Sequence, residues 1–193
     1  MINPESKILL LEKEIKRLKK LVYLDALTNV YNRRGFSEIG GNYFKSFRED
    51  KPACAGRGKR RKNEIASLAF IFLDIDDFKK INDKYGHQRG DRVLKQLAKF
   101  LKLTFRKTDL IGRWGDEEFV ILLVNVNKVN AQRITQKLCQ VIFQTKIVGL
   151  HLTVSVGLIV PKKEKTLAVI INKADKLMYQ AKKRGKNQVV TKN

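Results

Sequence analysis

Two acidic segments of this chain could do chemistry together: Leu73 to Asp91, LDIDDFKKINDKYGHQRGD, and Arg113 to Phe119, RWGDEEF. Each sets a carboxylate at the end of an apolar, strand-like run, Asp74 in the first and Glu117 in the second. Two acids delivered to neighbouring strand ends can hold a divalent cation against a phosphate and neutralise charge where a phosphoryl group reacts. The same pattern would arise if Asp74 only capped a following helix and Glu117 only solvated a hairpin.

The elements that have to position these acids are legible in the apolar spacing. Ile65 to Ile75 is a continuous apolar run that ends in the carboxylate, the pattern of a buried strand. Residues 76 to 85 predict a helix with Phe78, Ile81 and Tyr85 on one face, Asp76 as a first-turn carboxylate favoured by the helix dipole, and Gly86 as its stop. A second helix is expected from Asp91, a plausible N-cap, to about Phe105, carrying Val93, Leu94, Leu97, Ala98 and Leu101 inward. Leu110 to Trp114 and Glu117 to Val124 read as strands joined by Gly115 and Asp116, a hairpin signal because Gly supplies positive φ. A turn at Thr28 or Asn29 and a helix from Arg34 to Arg48 come before these. A helix from Val129 to Phe143, a strand pair covering Lys146 to Val160, a helix from Thr166 to Lys183 and an edge strand at Gln188 to Val190 follow. This order predicts an α/β fold with a central mixed sheet flanked by helices.

Length and composition bound the rest. At 193 residues and 43% hydrophobic content the chain supports one globular core. Its 41 Lys and Arg against 19 Asp and Glu give a net charge of +22, a field that attracts nucleotides, nucleic acid or anionic lipid without choosing among them. The densest basic run, Arg57 to Lys62, reads as a solvated loop, and it lacks the interleaved aromatics that stack bases, which argues against nucleic acid as the partner. No apolar run reaches the roughly eighteen residues of a membrane span, the start lacks signal-peptide order, and Cys54 and Cys139 stand in no metal-ligand spacing. A cytoplasmic protein with free thiols is expected. Ile8, Leu11, Ile15, Leu18 and Val22 recur at steps of three and four, which fits either a short dimer-forming seam or an amphipathic helix lying on its own domain.

DALTNVYNRR, FLDIDDFKKINDKYGHQRGD, RWGDEEF, LTVSVG and ADKLMYQAKKRGKN resemble, in order, the successive motifs of GGDEF domains, the diguanylate cyclases. The resemblance spans roughly Asp25 to Asn187. It implies a palm-like nucleotidyl-cyclase fold over 25–193, with a basic insertion at about 50–64, preceded by a signalling or dimerisation helix over 1–24. It further implies condensation of two GTP into cyclic di-GMP with release of pyrophosphate, by a homodimer in which each domain holds one GTP. Asp74, Glu117 and the Ile75 carbonyl match the family's ligands for Mg²⁺ or Mn²⁺. Asn82 and Asp91 match its guanine readers, while Phe78, Lys79, Lys182 and Lys186 match its phosphate contacts. Lys186 stands where the family usually has arginine and lacks the bidentate fork. Arg106 and Asp109 match the RxxD at which family members bind product and are inhibited. The signature turn is Gly115, Asp116, Glu117, Glu118 and Phe119, with Asp116 in place of the usual second Gly, adding a carboxylate near the triphosphate. The alternative the resemblance leaves open is a degenerate module that senses cyclic di-GMP or GTP without turnover.

Overall fold

The computed structural model describes residues 3–49, 65–162, 164 and 166–192, so the predicted basic loop and Cys54 lie outside the described residues. The elements run α1 (Pro4–Tyr23), α2 (Arg33–Glu49), β1 (Leu68–Ile75), α3 (Phe78–Tyr85), α4 (His87–Thr104), β2 (Leu110–Arg113) and β3 (Glu118–Val124). They continue through α5 (Lys128–Gln144), β4 (Lys146–Ile147), β5 (Leu150–His151), β6 (Val154–Ile159), α6 (Leu167–Lys183) and β7 (Val189–Thr191). The five-stranded sheet has the order β2-β3-β1-β6-β7, antiparallel except for the parallel β6–β7 pair, so it is mixed as predicted. The strand pair expected over Lys146 to Val160 is instead three strands, with β4 and β5 forming a separate ribbon.

All eight residues of β1 are buried, and period-two alternation divides them between two cores. Ala69, Ile71, Leu73 and Ile75 pack with α3, α4 and α5, while Leu68, Phe70 and Phe72 pack with α2 and α6. The same alternation places Asp74, at the end of β1, on the α6 side. Gly157 lets α6 come that close: a Cβ there would meet the Ala174 carbonyl oxygen at 2.0 Å and the Met178 nitrogen at 2.6 Å.

Two sequence expectations are corrected here. Asp91 is not an N-cap, because α4 starts at His87 directly after Gly86 (φ 79), which ends α3 and opens α4. Asp76 is not a first-turn carboxylate: it lies before the Asp77 N-cap, is 5% exposed, and accepts from Ser155 Oγ at 2.6 Å and the Asn187 backbone N–H at 3.0 Å. It ties β1, β6 and the segment after α6 together.

The apolar stripe of α1 does not lie on its own domain, since Ile8, Leu11, Ile15, Leu18 and Val22 are all exposed, from 58% at Ile8 to 41% at Val22. Among the described residues the helix is fastened at its end: the Asn32 side chain donates to the Val22 carbonyl at 2.8 Å, and Tyr23 donates to Glu38 at 2.7 Å. No helix of the described residues is long and apolar enough to cross a membrane.

Candidate active site

The two acids approach each other where β1 and β3 end. In the β1–β3 register Asp74 faces Glu118, and the Ile75 N–H donates to the Glu117 carbonyl at 3.3 Å. Glu117 lies one residue before β3, so it escapes strand alternation and lines a cleft of about 610 Å³ with Phe78, Lys79, Asn82, Asp91 and Asp116. Six of the predicted site residues therefore share one opening. Asp83, His87 and Arg113 line it too and were not singled out from the sequence.

Asp74 sits beside this cleft rather than on its wall. It is 3% exposed, and its Oδ2 takes the Lys182 ammonium at 2.7 Å. Burial pushes its pKa up to about 6, partly offset by Lys182 and reinforced by Glu117 and Asp76. Glu118, on the same face, is also raised by burial and by the Asp74 charge. Because the folded state holds the Asp74 proton more tightly than the unfolded chain does at 3.8, the native state binds more protons between 3.8 and about 6. Stability therefore falls as pH rises through that window. Chemical denaturation from pH 4 to 7 without divalent metal should show this decline, and Asp74→Asn should flatten it.

The signature turn departs from the expected two-residue hairpin. Neither Gly115 nor Asp116 has a positive φ. The Trp114 N–H donates to the Glu118 carbonyl at 2.8 Å, closing a three-residue loop whose carbonyls are held from outside. Arg113 donates to the Gly115 carbonyl at 3.1 Å and the Asp116 carbonyl at 2.9 Å, and its other nitrogen meets both Asp25 oxygens at 3.3 Å. Asp25 in turn accepts from the Thr28 backbone and hydroxyl. Desolvation works against the Asp25 anion, yet these bonds and Arg113 hold its pKa below the usual range. Arg113 thus fixes the loop to the segment that follows α1. The sequence signal for this was an Arg beside the loop and an Asp opening DALT, but their pairing is long-range and no local pattern shows it.

Lys182 and Lys186, both expected on phosphate, rest on acids. Lys186 (φ 65) donates to Asp77 at 2.8 Å, and Asp77 also pairs with Lys80 at 2.8 Å, which together draw its carboxyl down to about 2. Asp77 itself is left-handed (φ 55) and makes no side-chain cap on α3. Arg106 and Asp109 stand apart from the cleft beside a cavity of about 360 Å³ that Lys102 and Lys107 also line. Both Asp109 oxygens accept from backbone N–H groups, those of Arg106 at 3.0 Å and Val124 at 3.1 Å, so Asp109 shapes the loop.

Among the described residues no cluster of three or more His, Cys, Asp and Glu side chains could hold a metal. The set at hand is two carboxylates and the Ile75 carbonyl, which suits Mg²⁺, a cation bound through one or two carboxylates with substrate phosphates and water completing its shell. The buried side-chain acceptors without a hydrogen-bond partner among the described residues are Asp74 Oδ1 and Asn82 Oδ1. Asn82 Oδ1 lies so close to Gly90 that a Cβ there would stand 1.9 Å from it. An unpaired buried acceptor costs about 1 to 3 kcal/mol, which a ligand would recover.

The family model described as "Diguanylate cyclase, GGDEF domain" matches residues 22–188. Diguanylate cyclase DgcM of Escherichia coli strain K12 is 33% identical over 177 residues, covering 91% of this chain and 40% of DgcM. The uncharacterized protein YhcK of Bacillus subtilis strain 168 is 36% identical over 180 residues, covering 90% of this chain and 46% of YhcK. The chain thus spans less than half the length of both relatives. Among solved structures, diguanylate cyclase SiaD of Pseudomonas aeruginosa, in complex with its activator SiaC, superposes with a TM-score of 0.76 at 28% identity, over 97% of this chain and 68% of SiaD. The active GGEEF domain of a diguanylate cyclase from Vibrio cholerae gives 0.72 at 27% identity, over 84% of this chain and 97% of that domain. With its mixed sheet, its ordered motifs and a match over most of its length, this chain belongs to the GGDEF domain family.

Proposed function

We propose that the protein is a diguanylate cyclase that joins two GTP molecules into cyclic di-GMP as a homodimer. The observation that carries this is the pair of unpartnered buried acceptors: Asp74 Oδ1 where a cation is expected and Asn82 Oδ1 where guanine is expected. Guanine offers N1 and N2 hydrogens on one edge, and an amide oxygen beside the Asp91 carboxylate accepts from that edge, which adenine lacks. Asp74, Glu117 and the Ile75 carbonyl would hold Mg²⁺ or Mn²⁺, whose chemistry when bound is to neutralise charge on the reacting phosphate. The uncapped start of α3 at Phe78 and Lys79 presents backbone N–H groups toward phosphate oxygens. Lys182 and Lys186 supply ammonium groups for the departing pyrophosphate once they leave their acids. A GTP substrate and the buried free thiol of Cys139 fit action in the cytoplasm.

Asp116 is exposed at the cleft rim, and its backbone role is met by Arg113 rather than by its own side chain. Its cost is therefore electrostatic: a carboxylate opposing a triphosphate by about 1 kcal/mol at high dielectric. GTP turnover with product identification, run on wild type beside Asp116→Gly, tests the reading. Both should form cyclic di-GMP, with apparent GTP affinity about fivefold tighter in the variant. Tight product binding with no synthesis by either protein would select the sensor instead.

A further inference from the structure

We infer that Lys182 is a resident counter-ion that competes with the divalent cation for Asp74, so that cation and nucleotide enter together and the ammonium passes from carboxylate to phosphate. This rests on the metal-binding reading of Asp74 given above.

The geometry is specific. Lys182 lies in the last turn of α6, which Gly157 seats tightly on β6, and its ammonium reaches Asp74 Oδ2 at 2.7 Å. The lysine side chain is 31% exposed and the aspartate side chain 4%, so the pair has a closed end and an open end. Among the described residues only half of the carboxylate is used, because Oδ1 has no hydrogen-bond partner there. A dication reaching Oδ1 would share one buried carboxylate with an ammonium ion, and like charges at such close range in a poorly solvated place repel strongly. The Lys182 side chain is already 31% exposed, so rotation of its flexible stem outward would relieve the repulsion without moving the backbone. An arriving triphosphate then offers the freed ammonium a second anion. Binding of cation and of nucleotide is thereby coupled through one side chain, and the coupling is reciprocal. Lys186 is the natural control: its partner Asp77 is 39% exposed and keeps Lys80 as a second cation, so losing Lys186 uncovers no buried acid.

The test measures Mn²⁺ alone binding to the full chain, by the electron paramagnetic resonance of free Mn²⁺, without nucleotide. Lys182→Gln keeps an N–H donor for Asp74 Oδ2 while removing the charge, and should bind Mn²⁺ about tenfold tighter than wild type. Lys182→Met, which cannot bond Asp74 again, should do the same, and Lys182→Arg should behave as wild type. Lys186→Gln should change Mn²⁺ affinity by about twofold at most, since its charge is exposed and screened. Adding a non-hydrolysable GTP analogue should tighten Mn²⁺ binding more in wild type than in Lys182→Gln. Equal or weaker Mn²⁺ binding by both Lys182→Gln and Lys182→Met overturns the inference, as does a gain of the same size from Lys186→Gln. Asp74→Asn separates the two levels: if it weakens Mn²⁺ binding while the Lys182 variants gain nothing, only the counter-ion role falls. If it leaves Mn²⁺ binding unchanged, the metal reading falls and this inference with it.

Discussion

Asp74→Asn and Glu117→Gln should each reduce the proposed cyclic di-GMP synthesis by on the order of a thousandfold or more, because on that reading each removes an anionic oxygen donor from a site whose main contribution is charge neutralisation. The two variants should fail differently. Asp74 is buried and holds Lys182, so its amide also leaves an ammonium without its anion. Glu117 is half-buried in the loop that Arg113 fastens through neighbouring carbonyls, so its replacement leaves the loop's supports in place. Glu117→Gln should therefore keep wild-type thermal stability and still bind GTP, while Asp74→Asn should change both the pH dependence of stability and the response to divalent metal. Product measured by chromatography after prolonged incubation at high protein concentration checks the loss. Retention of more than about a tenth of wild-type rate in Glu117→Gln would be too small an effect for a ligand of the catalytic cation.

The contrast between these two acids shows what the sequence could and could not say. A continuous apolar run before Asp74 and another after Glu118 made the strands visible, because burial on both faces leaves a strand no polar positions. Period-two alternation then decided which way Asp74 points, but the run carries no mark of which helix lies on that side. The pairing with Lys182 was therefore hidden: it joins residues far apart in the chain through the packing of α6. The cleft itself was readable where its residues share one short helix, as Phe78, Lys79 and Asn82 do. It was not readable at Arg113, whose task is to satisfy carbonyls of a loop that was expected to satisfy itself by positive φ. Asp91 misled as an N-cap because Gly86 serves as both the end of one helix and the start of the next, moving α4 a full turn earlier.

The apolar stripe of α1 leads to the remaining large effect. Ile15→Glu combined with Leu18→Glu should convert the proposed dimer into a protein that sediments as a monomer and makes little product at low concentration. Both side chains are about half exposed, at 51% and 48%, on a helix that, among the described residues, is fixed to the domain at its end. A two-fold partner would cover them, and burying an aliphatic side chain is worth roughly 1.5 to 3 kcal/mol. The double substitution removes four such side chains per dimer, on the order of 6 kcal/mol or more, which corresponds to a dissociation constant weaker by about 10⁴. On the proposed reading, in which two facing domains react together, the rate depends on dimer concentration, so specific activity should fall steeply on dilution in the variant well before it does in wild type. Sedimentation velocity and specific activity measured over the same dilution series check both halves of the expectation. Equal sedimentation of the two proteins would show that α1 aligns nothing. Loss of the dimer with undiminished specific activity would show that the domains find each other without it. Asp25 lies two residues past α1 and holds Arg113, and Arg113 holds the carbonyls of the signature loop, so in the proposed dimer the alignment of two helices would be passed through this chain of contacts toward Glu117.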